Sequence, residues 1–123
     1  MCLYAMTDRL HWFERDGDDY IGYKAMKSSP YRCMYYNTFK VLVPGIWHQA
    51  EGAWRIQAQY KVPLFGRFYN SGFHIFASPQ DACYWFSDSD CVVRVKFRKV
   101  LAVGYQGDRC RGLTAVAEEM MIL

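Results

Sequence analysis

The chain has 123 residues, just over half of them hydrophobic, which is enough for one core and too few for a second independent one. Its formal net charge of +3 is mild and argues against direct DNA binding. No apolar run reaches the roughly 20 residues of a membrane helix, so no membrane span is expected.

Charge is unevenly spread. Residues 1–20 carry Arg9 and Arg15 against Asp8, Glu14, Asp16, Asp18 and Asp19. Residues 21–80 carry Lys24, Lys27, Arg32, Lys40, Arg55, Lys61 and Arg67 against Glu51 alone. A basic middle can face phosphates, a nucleotide or an acidic protein, or serve as solvated strand faces. Aromatic residues make up 18% of the chain and ten of them are tyrosines. Tyrosine joins an apolar body to a polar tip and suits cores, interfaces and pockets alike. The five cysteines, Cys2, Cys33, Cys83, Cys91 and Cys110, are odd in number and irregularly spaced. With charge appearing by residue 8 and no signal peptide to read, free thiols in a reducing cytosol are expected. No C-x-x-C or H-x-x-x-H spacing suggests a metal, and no cofactor motif is present: neither a P-loop nor G-x-G-x-x-G.

In chain order, "MCLYAM" reads as a short strand and "DRLHWFERDGDDY" as a solvated acidic loop with a turn at Asp16-Gly17. "YIGYKAMK" alternates, with Ile21, Tyr23 and Ala25 on one face and Lys24 and Met26 on the other. "SSP" at 28–30 breaks it. "YRCMYYNTFKVLV" predicts one or two strands ending at Pro44-Gly45. Trp54, Ile56, Ala58 and Tyr60 alternate with polar residues and predict a strand, followed by a loop over "PLFGRFYNSG". Phe73 and Ile75 then point one way and His74 and Phe76 the other, as in an internal strand.

Ser78 suits an N-cap, Pro79 the first helical position and Asp81 the positive end of a short helix. Ala82, Cys83 and Phe86 would be its buried stripe. "CVVRVKFRKVLAV" is the clearest strand, with Cys91, Val93, Val95 and Phe97 opposite Arg94, Lys96 and Arg98. "LTAVAEEMMIL" fits a helix or a terminal strand and is taken as a strand. The sum is a single α+β domain over residues 1–123: a mostly antiparallel sheet of six or seven strands packed on one short helix.

The opening "MCLY", Tyr23-Lys24, the Gly72-Phe73-His74 strand followed by a helix with Asp81-Ala82, and a closing "VVRV…GYQGD" occur in this order along nearly the whole chain. Together they resemble a family of small bacteriophage and prophage proteins without an assigned activity. The resemblance implies a phage origin and action in the host cytoplasm. Small phage proteins of this sort often counter host defence by binding a defence protein or sequestering its nucleotide signal.

Several side chains are candidates for function. Cys2, if exposed as the first residue, pairs a thiol with its own amine as base. His74 is either a core histidine or a pocket residue, in one version the ring of an ADP-ribosyltransferase-like cleft. That class needs an acid near its late strand, and Glu118 and Glu119 come too late for it. Tyr23 and Lys24 with Phe76, Arg94, Lys96 and Arg98 form a mixed aromatic and basic set that can stack on bases, clamp phosphates or anchor a protein. Arg109 sits in a glycine-rich loop that can hold an anion. With no catalytic constellation, the expected function is a non-enzymatic counter-defence inhibitor that binds a host defence protein. A nucleotide-signal sponge comes second, and a transferase-like or N-terminal-cysteine enzyme third. Sheet edges also allow a homodimer.

Overall fold

The computed structural model describes residues 3–28, 30–34, 40–50, 55–62, 66–85, 88–107 and 111–123. The strands are β1 (Ala5–Met6), β2 (Glu14–Asp16), β3 (Asp19–Lys27), β4 (Arg32–Cys33), β5 (His48–Gln49), β6 (Arg55–Val62), β7 (Gly66–Asn70), β8 (Phe73–Phe76), β9 (Cys91–Tyr105) and β10 (Leu113–Ile122). A 3-10 turn covers Arg9–Trp12, and one α-helix, α1, covers Pro79–Trp85. Eight strands form one antiparallel sheet, and β6 and β7 form a separate hairpin. The α+β domain expected from the sequence is the fold observed, with more strands than expected. Among the described residues no helix is long and apolar enough to cross a membrane.

The sheet closes on itself. β9 is 15 residues long and lends its first half to β3, from Cys91↔Met26 to Phe97↔Tyr20. It also runs beside β10, from Val95↔Ile122 to Tyr105↔Leu113. β10 pairs β8, and β8 meets β3 at one described pair, Tyr23↔Phe76. The pairings β3–β9–β10–β8–β3 therefore make a ring.

The face turned into the ring carries the main core: Met26, Phe73, Ile75, Val95, Phe97, Val103, Ala115 and Met120, plugged by Phe13, Cys33 and Leu42. Burying a side chain such as Phe97 contributes about 2–3 kcal/mol. The outer face is covered in two places. α1 packs Ala82 on Ala25 and Phe76. The β6–β7 hairpin packs Ala58 and Tyr69 on Leu3, Ala102 and Val116.

Several expected elements are corrected. The acidic stretch is not a loop: Glu14–Asp16 is β2, hairpinned to β3 through Gly17, whose φ is +62°. The glycine-bearing stretch before Gly72 contains β7, not only loop. "YRCMYYNTFKVLV" yields only the two-residue β4 among its described residues, and 40–43 is not a strand. The helix begins as expected, with the Asp81 amide donating to Ser78 Oγ at 3.2 Å. Its buried stripe differs: Ala82 is buried, but Cys83 is exposed. Trp85 instead lies against Gly107, where a Cβ would come within 2.5 Å of its ring, and against Gly112, held at φ +79°. Trp54 and Phe86 lie outside the described residues.

Gly22 sits at the ring's narrowest join. A Cβ there would come within 2.5 Å of Ile75 Cγ2 and 2.9 Å of the Phe76 carbonyl. Gly22→Ala forces β3 and β8 apart and is expected to cost about 1–3 kcal/mol, the range for overpacking a tight core. Urea unfolding of the purified variant checks this; an unchanged midpoint would show that the join yields freely.

Candidate functional site

Alternation along β3 sends Tyr20, Gly22, Lys24 and Met26 into the ring and Ile21, Tyr23 and Ala25 outward. Lys24 thus enters an apolar row. The residue as a whole is part-buried, and its Nζ reaches across the β3–β8 join and donates to the His74 carbonyl at 2.9 Å. Among the described residues no carboxylate pairs with it. Burial lowers the Lys24 pKa, because an ammonium loses more hydration than one carbonyl returns; Cys33 acts weakly in the opposite sense.

His74 occupies β8 on the outer face, opposite Val116 of β10. Its ring meets Tyr69 edge-on, with centroids 6.3 Å apart. Tyr69 is fixed in turn, because its hydroxyl accepts the Leu3 amide at 2.8 Å. Burial, then the positive charge of Lys24, bring the His74 pKa down to about 3, against a smaller upward pull from a hydrogen bond to the Gly72 backbone. The imidazole is therefore neutral at physiological pH. A bond that favours the protonated ring is one in which the ring donates, so the nitrogen facing Gly72 carries the hydrogen. Nε2 is left as a bare acceptor, buried and without a partner.

Tyr23 lies opposite Arg94 in register and packs beside the Ala25, Phe76 and Ala82 cluster. Phe76 is 1% exposed and belongs to the core under α1, so it offers no surface for binding. The three cations expected on one face of β9 share that face, but each is neutralised. Arg94 reaches Glu14 at 3.0 Å and Lys96 reaches Asp16 at 2.9 Å, both across β3. Ile21, paired with Glu14 on one side and Lys96 on the other, is 3% exposed.

Arg98 holds Glu119 at 3.2 Å and stacks over Trp47 at 3.8 Å. Its neighbour Lys99 reaches the same carboxylate at 2.8 Å. Two consecutive strand residues normally point to opposite faces. Here the register of β9 and β10 shifts beside them and Lys99 adopts φ +56°, so both reach one acid. The hydrogen bonds from Lys99 and Arg98 hold the Glu119 carboxyl below its usual range, against burial.

Glu14 and Asp16, and Glu119 as the partner of Arg98, are pairings that the sequence did not single out. Their pairing depends on strand order, which no local pattern carries. Cys2 and Arg109 lie outside the described residues. Cys33 is buried, and burial raises the Cys91 thiol. Among the described residues no group of three His, Cys, Asp or Glu side chains is placed to hold a metal. The chain matches no family model, no curated protein and no solved structure.

The buried neutral histidine has a pH signature. Between pH 6.5 and about 3 the unfolded chain binds a proton that the folded chain refuses. Stability is therefore complete above 6.5 and falls as pH falls, by about 1.4 kcal/mol per pH unit in that window. From pH 7 to pH 5 the protein is expected to lose about 2 kcal/mol that His74→Leu does not lose. Urea midpoints of both at the two pH values check this, and parallel losses would remove His74 as the cause.

Proposed function

We propose that this protein acts by binding another protein, without chemistry of its own. The observation that carries this is an apolar display on one short segment: Val41, Val43 and Ile46 are each about half exposed, at 47%, 49% and 51%. The segment is firmly held. The Leu42 amide donates to the Tyr31 carbonyl and the Gly45 amide to the Ile122 carbonyl, both at 2.9 Å. His48 Nε2 lies 3.1 Å from the Val43 amide and 2.9 Å from its carbonyl. The neighbouring end of β10 adds Leu123, 52% exposed. A pre-ordered apolar projection loses little entropy on docking, and isolated apolar side chains gathered on one segment suit an interface better than solvent.

The nucleotide-sponge alternative draws less support. Its cations Arg94, Lys96 and Arg98 already hold Glu14, Asp16 and Glu119, and a phosphate would have to displace those acids. The transferase-like reading asks His74 to line a cleft, whereas its one open nitrogen is buried. On the resemblance to phage proteins, we take the partner to be a host defence protein, the setting to be the host cytosol and the effect to be inhibition.

Val43→Asp combined with Ile46→Asp tests this. Both positions are exposed, so the fold should keep its unfolding free energy to within about 0.5 kcal/mol. Affinity for the protein recovered with the wild-type chain from bacterial lysate is expected to fall at least about 30-fold, as for a truncated hot spot. Undiminished affinity in the double variant would sink this reading. A nucleotide recovered in place of a protein would favour the sponge.

A further inference from the structure

The β6–β7 hairpin lies on the ring with one face and turns the other to solvent. Ile56, Ala58 and Tyr69 pack inward, whereas Arg55, Gln57, Gln59, Phe68 and Asn70 are all exposed. Register sets Arg55 opposite Asn70 and Gln57 opposite Phe68, so these four are neighbours on one surface. Phe68 is 53% exposed, and the Arg55 guanidinium lies 4.9 Å from its ring centroid. No described carboxylate pairs with Arg55. The surface is held still from below. The Gln59 amide donates to the Leu3 carbonyl at 3.1 Å, and the Leu3 amide donates to the Tyr69 hydroxyl at 2.8 Å.

Charge narrows what this face fits. Residues 52–80 carry Arg55, Lys61 and Arg67 and no acid. On β9, by contrast, Arg94, Lys96, Arg98 and Lys99 each meet a carboxylate. The hairpin thus keeps a local positive balance as large as the +3 of the whole chain, and a polyanion is its complement. A protein partner would ask for a wider apolar centre than one ring among amides and a cation. A phosphate alone would leave the ring unused. A nucleotide strand uses all three groups: a base stacks on the ring, the guanidinium takes a phosphate, and amides bond to base edges. In a duplex the bases are already stacked on one another and cannot reach a ring on a sheet face. We propose that the outer face of the β6–β7 hairpin binds single-stranded nucleic acid, with a base on Phe68, a phosphate on Arg55, and Gln57 and Asn70 beside the base edge. This surface is separate from the 41–46 segment and does not depend on a protein partner.

Fluorescence anisotropy with labelled oligouridine and oligothymidine of about 12 nucleotides tests it, at about 50 mM salt, where phosphate contacts are strong. The full chain should bind one or both saturably, and a duplex of the same length more weakly. Equal binding of the two strands would support stacking on any base; tighter binding of the RNA would add its 2′-hydroxyl to the contacts.

Phe68→Leu should weaken binding at least about 5-fold, as for one lost base stack, and leave its salt dependence unchanged. Phe68→Tyr keeps a ring and should retain the affinity. Arg55→Gln should flatten the slope of log affinity against log salt by about 0.7, the share of one phosphate on a single strand. Val43→Ser with Ile46→Ser, which alters the other surface without adding charge, should bind the strand as the wild type does. No saturable binding, a duplex bound as tightly as the single strands, full affinity in Phe68→Leu, or a loss in the double serine variant would each overturn the proposal.

Discussion

The fold depends on closing β3 onto β8. Three of the ring's four joins are ladders of several residues, whereas this one has a single described pair, Tyr23↔Phe76. Other contacts stand in for the missing ladder. Gly22 lets Ile75 approach, and Lys24 supplies from its side chain a donor to the His74 carbonyl. On the outer face, α1 lies over the join, with Ala82 against Ala25 of β3 and Phe76 of β8. The turn chemistry that starts this helix directly after β8 thus serves the ring as well as the helix.

Electrostatics follow from the same closure. Because β9 runs between β3 and β10, its outward cations meet acids on both flanks: Glu14 and Asp16 beyond β3, Glu119 on β10. A strand face that reads as strongly basic becomes a set of ion pairs. The exposed pairs contribute little to stability. Glu119 differs, since it is 5% exposed and receives two cations through the irregular stretch at Lys99. These pairs also hold the segment beside β10 in place, because Arg98 stacks on Trp47 and so ties the 40–50 stretch to the sheet.

What the sequence carried was local. Period-two alternation located β3, β6, β8 and β9, and the Ser78-Pro79 signal located α1. β10 was ambiguous for a physical reason: nearly every residue of it is buried, with Ala115 and Met120 in the ring core and Val116 under the hairpin, so alternation is lost. The 40–43 stretch has strand composition, but only Leu42 turns inward and its amide bonds outside any ladder. Trp85 was missed as the helix's anchor because the glycines that receive it lie more than twenty residues later. The candidate site was legible only as separate residues. Lys24 and His74 were visible 50 positions apart, but their meeting depends on ring closure.

That meeting poses a question that packing alone does not answer. The carbonyl of His74 needs a donor, and leaving it bare would cost about 1–3 kcal/mol. A glutamine at position 24 could donate to it without bringing a charge into the ring. The hydrogen bond therefore explains a donor but not an ammonium. Arg94, Lys96, Arg98, Lys99 and Arg111 each have a carboxylate, whereas Lys24, on the ring side of β3, has only the neutral carbonyl of His74 among its described partners. Burial lowers the Lys24 pKa for the same reason, since one neutral carbonyl returns less than the hydration an ammonium loses.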